Sequence, residues 1–99
     1  SIPNDGNLCV KGRFGYDFVH HPDRLKHPLI KKNGKFEEAT WDEALNLVAA
    51  KLGEIKAKYG PDYIGVMSSS RCTNEENYLA MKFARATIGT NNVDQCART

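Results

Sequence analysis

The stretch best suited to chemistry is Asn7-Leu8-Cys9-Val10-Lys11-Gly12-Arg13-Phe14-Gly15. A thiol followed closely by Lys11 and Arg13 can be held as thiolate, and the two glycines let backbone amides approach a sulfur cluster or a phosphate. A single cysteine specifies no metal site, so the same residues also describe a structural thiol in a glycine-rich turn. The second candidate is Ser68-Ser69-Ser70-Arg71-Cys72, where hydroxyls, amides and a guanidinium precede a helix start and could hold a pyrophosphate. Without a glycine-rich fingerprint, it equally reads as an ordinary polar loop. His20, His21 and His27 have no accompanying ligand set and read as solvated. Cys9, Cys72 and Cys96 are an odd number without CxxC spacing, which supports neither a disulfide framework nor a self-contained zinc site, so reduced thiols are expected.

Period and punctuation predict the elements that must position these residues. Gly6, Gly12, Gly15, Pro22 and Pro28 make residues 1–28 a loop-rich segment, with one short strand near Leu8 to Val10. Leu29 to Lys32, Asn33-Gly34 and Lys35 to Glu37 predict a hairpin, because Asn-Gly accepts the positive φ of a type I′ turn. Lys31, Lys32 and Lys35 make its edge a solvated one. Thr40-Trp41-Asp42-Glu43 is a capping box, and Trp41, Ala44, Leu45, Val48, Ala49, Leu52 and Ile55 follow at helical spacing. Gly60-Pro61 ends that helix. Tyr63 to Met67 then predicts a strand covered on both faces, with Ser68 to Cys72 as the loop at its carboxyl end. A second capping box, Thr73 to Glu76, opens a helix through Ile88 with Leu79, Phe83 and Ala86 on one face and Gly89 at its end. A further strand begins at Val93. The fold class is therefore α/β, with α+β character at the amino end: a loop region over 1–28, then a hairpin and a partial three-layer α/β domain over 29–99. Ligands of such sheets bind at the carboxyl ends of the strands.

Composition narrows the function classes. The 99 residues carry 14 basic and 12 acidic side chains, a net charge of +2. Residues 1–36 hold seven basic side chains against three acidic ones, which suits an anionic small ligand rather than a nucleic-acid groove. No apolar run approaches the roughly 20 residues that span a bilayer. Ser1 to Asn7 has neither the basic nor the apolar region of a secretory signal and lacks Met, which predicts an interior start, no membrane insertion and a cytoplasmic location.

Five ordered stretches carry a resemblance over essentially the whole chain: Asn4 to Gly15, Arg24 to Leu29, Thr40 to Ala44, Ser69 to Tyr78 and Lys82 to Thr99. Together they resemble the amino-terminal part of the large subunit of formate dehydrogenases, within the molybdopterin oxidoreductases. The resemblance implies that Cys9 is the fourth ligand of a [4Fe-4S] cluster, with three partners upstream. It also implies that Lys11 lies on the electron route between cluster and pterin. Arg71 is the implied leading contact to bis(molybdopterin guanine dinucleotide), with Ser70, Asn74 and Glu75 as further contacts. Cys72 departs from the small residue common in that loop. Thr-Asn-Asn-Val-Asp-Gln-Cys-Ala-Arg is similar to the lead-in to the molybdenum or tungsten ligand, a Cys or selenocysteine expected directly after Thr99, so no catalytic residue falls within the 99.

The implied parent oxidises formate to carbon dioxide, or runs the reverse. Its partners are the remainder of the same subunit and electron-transfer subunits, and the 99 residues are expected to be inactive alone. The alternatives are another member of the family, such as a nitrate reductase, and a free-standing nucleotide-binding module using the Ser68 to Arg71 loop. Selenocysteine is encoded by UGA, which is ordinarily read as stop, and this would account for the carboxyl end. The gene decides it: UGA after Thr99 with an in-frame continuation is expected, and any other codon there overturns the account.

Overall fold

The computed structural model describes residues 3–97, so Ser1, Ile2, Arg98 and Thr99, including the expected interior start and the last two residues of the lead-in segment, lie outside the described residues. The chain forms two compact units, one running up to Trp41 and the other from Asp42 onward.

In the first unit the glycine-rich stretch is helical. Helix α1 spans Val10–Phe14 with Cys9 as its N-cap residue in extended conformation (φ −68°, ψ 167°). This corrects the expected strand near Leu8 to Val10. Local bonds decide it: the Arg13 N–H donates to the Cys9 carbonyl at 3.0 Å, and the Gly15 N–H to the Lys11 carbonyl at 2.9 Å. A Cβ on Gly15 would lie 2.7 Å from that same carbonyl oxygen, so the close of the helix requires glycine. A short 3-10 turn, Asp17–His20, follows. His20, His21 and His27 are all exposed, as expected. The hairpin forms as read, with β1 Leu29–Lys32 antiparallel to β2 Lys35–Glu38 and Ile30 opposite Glu37. Asn33 (φ 50°) and Gly34 (φ 81°) supply the left-handed turn. Beyond β2, the Ala39 N–H reaches the Pro28 carbonyl at 2.9 Å and lengthens the ladder.

The second unit is built on a long helix and a β-α-β crossover. Helix α2, Trp41–Tyr59, ends at Gly60 (φ 101°), whose N–H caps the Lys56 carbonyl at 3.0 Å. Pro61–Tyr63 is a 3-10 turn, and β3 is only Val66–Ser68. It pairs in parallel with β4, Val93–Gln95, Val66 lying opposite Val93. The expected strand from Tyr63 to Met67 is therefore shorter and shifted, because Pro61 and the 3-10 turn consume its start. Nor are both faces covered. Val66 and Ser68 are half-buried towards helix α3, whereas Met67 points the other way and is 78% exposed.

Helix α3, Asn74–Lys82, opens with the predicted capping box. The Glu76 N–H donates to Thr73 Oγ1 at 3.2 Å, and the Thr73 N–H donates to Glu76 Oε2 at 2.7 Å. The helix then widens into a π turn, Phe83–Ile88, closed by left-handed Gly89 (φ 91°). Both Gly89 and Thr90 N–H groups converge on the Ala84 carbonyl, at 2.8 and 3.0 Å. The inward face is Asn77, Ala80, Ala84 and Ile88, not the expected Leu79, Phe83 and Ala86, which are exposed. Ile64, Ala84 and Ile88 are the buried apolar residues among those described. From α2, Ala44, Leu52 and Ile55 are half-buried while Leu45 and Val48 stay exposed, so only part of its apolar stripe is used. Lys56 Nζ donates to the Thr87 carbonyl at 3.0 Å, satisfying an acceptor left over at the end of the π turn.

Replacing Thr73 by Ala is expected to cost about 1 kcal/mol at the start of α3, read as faster amide exchange at Glu76. Thr73→Ser should retain most of the protection, and unchanged exchange in Thr73→Ala would show the cap to be idle.

Candidate functional site

The carboxyl ends of β3 and β4 adjoin because the strands run in parallel, and this is where open α/β sheets take their ligands. After β3 the chain turns sharply: the Cys72 N–H donates to the Ser69 carbonyl at 3.2 Å and the Arg71 N–H to Ser69 Oγ at 3.1 Å. Ser68 Oγ and Asn77 Oδ1 are hydrogen-bonded, tying the end of β3 to α3. After β4 comes Cys96, whose Sγ lies 3.4 Å from Ser70 Oγ and 3.7 Å from Ser69 Oγ. Hydrogen bonding from the Ser70 side chain, with further bonds from the Ser70 backbone and the Ser69 side chain, lowers the Cys96 thiol from 9.0 to about 7. At neutral pH a substantial fraction of it is thiolate, a state that hydroxyl donors stabilise.

Arg71 is exposed at the tip of this turn. Asn74 and Glu75 occupy the first two positions of α3 and are likewise exposed. The end of α3 is a poor anion receptor by itself, since the Thr73 hydroxyl already takes the Glu76 N–H and two carboxylates, Glu75 and Glu76, stand in the first turn. The donor suited to an anionic, oxygen-rich group is the Arg71 guanidinium, since the Ser69 and Ser70 hydroxyls are turned to Cys96. Beside them a cleft of about 320 Å³ runs between α3 and β4, lined by Ser68, Asn77, Arg85, Asn91, Asp94 and Gln95.

Cys9 and Lys11 belong to the first unit, and Ser70, Arg71, Asn74 and Glu75 to the second. Cys9 is an exposed thiol at the amino end of α1, with Lys11 one position into that helix and Arg13 further along it. Among the described residues no three His, Cys, Asp or Glu side chains gather into a metal-binding group. Cys9 can thus be one ligand of a cluster but not the set. Cys72, the departure noted in the loop, is an exposed thiol.

Two features escaped sequence reasoning. Cys96, which looks like a frayed end in the linear sequence, faces Ser70 because the intervening helix returns the chain parallel to β3. The other is a polar cluster around Thr90, only 3% exposed, which joins Asp62 to Asn92. The usable signal for the first was topological: in a β-α-β unit the residues after each strand emerge side by side.

A parallel β-α-β unit with polar loops at its carboxyl end is an α/β arrangement. The chain belongs to the molybdopterin oxidoreductase family, which residues 24–99 match. It is 56% identical over 95 residues to the F420-dependent formate dehydrogenase 1 subunit alpha of Methanococcus maripaludis, covering 96% of this chain and 14% of that protein. It is 57% identical over 92 residues to a putative formate dehydrogenase of Bacillus subtilis, covering 93% of this chain and 9% of that protein. A putative formate dehydrogenase of Staphylococcus aureus is 54% identical over 90 residues. The chain therefore spans a small part of the length of these curated relatives.

The geometry makes a direct prediction. Alkylation of Cys96, followed by peptide mass spectrometry, should rise through a midpoint near pH 7. Ser70→Ala should move that midpoint upward, because the thiolate loses its main donor. An unchanged midpoint would remove Ser70 as the cause.

Proposed function

We propose that this chain is the amino-terminal region of the large subunit of a formate dehydrogenase, in which the full-length protein oxidises formate or reduces carbon dioxide. The observation that carries the reading is the parallel pairing of β3 with β4, which sets the Cys96 lead-in segment beside the Ser69 to Arg71 turn. The similarity to proteins named as formate dehydrogenases supports the substrate.

In this reading Arg71 holds phosphate or pterin oxygens of bis(molybdopterin guanine dinucleotide), and Ser70, Asn74 and Glu75 border it. The chemistry fits, since a guanidinium offers paired donors to such oxygens. When bound, this metal-pterin group would supply the redox chemistry of molybdenum or tungsten, its metal held by a Cys or selenocysteine expected after Thr99. Cys9 is one thiolate of a [4Fe-4S] cluster completed by cysteines elsewhere in the subunit, since a cubane takes four. Lys11, a fixed positive charge two residues on, stabilises negative charge arriving at that cluster. Further subunits take the electrons onward. Turnover in this reading is a property of the full-length protein.

The full-length protein, purified anaerobically, should contain iron and molybdenum or tungsten and reduce an acceptor dye with formate. Arg71→Ala should lower the pterin content. Lys11→Ala should leave it intact and slow formate-dependent dye reduction by about tenfold or more, the equivalent of at least 1.4 kcal/mol of lost stabilisation. A loaded protein that ignores formate but reduces nitrate would replace this reading with another member of the family. Dye reduction by the 99 residues alone would refute their incompleteness.

A further inference from the structure

We propose that Asp62, Thr90 and Asn92 act as a positioning latch that fixes where Cys96, and the segment following it, meets the Ser69–Ser70 turn. The Thr90 side chain is buried and fully engaged. Its Oγ1 donates to Asp62 Oδ1 at 2.9 Å and accepts from the Asn92 N–H at 3.2 Å. The Asn92 side-chain amide donates to the Asp62 carbonyl at 2.9 Å, and the Asn92 carbonyl accepts from the Val66 N–H at 2.8 Å. Three residues thus bind the entry of β4 to the Pro61–Tyr63 turn on one side and to β3 on the other. Arg85 Nε adds a bond to Asn91 Oδ1 at 3.1 Å, holding the same entry to the π turn.

The latch matters because β3 and β4 are each three residues long. So short a parallel pair has few ladder bonds with which to resist sliding, and a slip of one residue sends every side chain to the opposite face. Cys96 is the first residue beyond β4, so its approach to Ser70 is set by that register. A latch at the entry and the thiol at the exit are two ends of one rigid strand. Among the described residues, the charged side chains on the segments flanking the thiol are Arg71 and Asp94, and neither belongs to the latch.

The inference rests on the proposed function for its catalytic consequence, namely that the latch aligns the segment delivering the metal ligand. Its structural half does not need that reading. The test uses the folded full-length protein with site-resolved alkylation of Cys96 as a function of pH, alongside circular dichroism. In Thr90→Val the alkylation rate at pH 7 should fall at least about fivefold, since loss of the Ser70 contact empties the thiolate state. Thr90→Ser should restore it. Asn92→Ala should behave like Thr90→Val and provides the same reading if the valine variant fails to fold. In the loaded enzyme, Thr90→Val should lower kcat about tenfold with KM for formate changed less than about twofold, the pattern of a misaligned reacting centre. Folded variants with a wild-type alkylation profile, or a Cys96 that is unreactive in the wild-type protein, would overturn the latch. A wild-type protein that alkylates as described but does not oxidise formate would overturn the proposed function and leave the latch standing.

Discussion

The second unit depends on the parallel pairing of β3 with β4. A parallel pair cannot be closed by a tight turn, because the chain must return the full length of the strand before it can run beside it. Helix α3 and its π turn make that return. The approach of Cys96 to Ser69 and Ser70 follows from it. With three residues per strand, the ladder supplies little of the stability itself. The buried Thr90 hydroxyl and the apolar contacts of Ile64, Ala84 and Ile88 hold the strands where the backbone bonds can form.

Among the described residues of this unit, none forms a covering layer on the Met67 side of the sheet. Val66 and Ser68 lie towards α3, and Met67, on the opposite face, is exposed. Leu45 and Val48 on α2 are exposed as well. An α/β layer normally carries helices on both faces of its sheet, and this chain spans 9 to 14% of the length of these relatives.

Much of the local structure was legible because its causes are local. The hairpin follows from Asn33-Gly34, a pair that adopts positive φ values readily. The start of α3 follows from Thr73 and Glu76 capping one another, and the end of the π turn from the left-handed Gly89. Local reasoning failed where two local preferences compete. Leu8, Cys9 and Val10 read as a strand by composition, yet the segment folds as a helical turn once Cys9 adopts an N-cap conformation and its carbonyl accepts from Arg13. The inward face, Asn77, Ala80, Ala84 and Ile88, keeps helical spacing but is made of one polar and two small residues before Ile88, so counting from the large apolar Leu79 selects the neighbouring, exposed face.

The sequence by itself determined which residue types stand ready for chemistry, namely Cys9 with Lys11 and Ser70 with Arg71, together with the family that their ordered motifs define. It also determined the turns and caps, since these are set by residues within four positions of each other. Only the tertiary structure decided that Cys96 lies beside Ser70 and that Asp62, Thr90 and Asn92 form one hydrogen-bonded group. Those pairs are separated by 26 to 30 residues. What brings them together is a strand register, and a register is fixed by packing and buried hydrogen bonds that no local window of sequence contains.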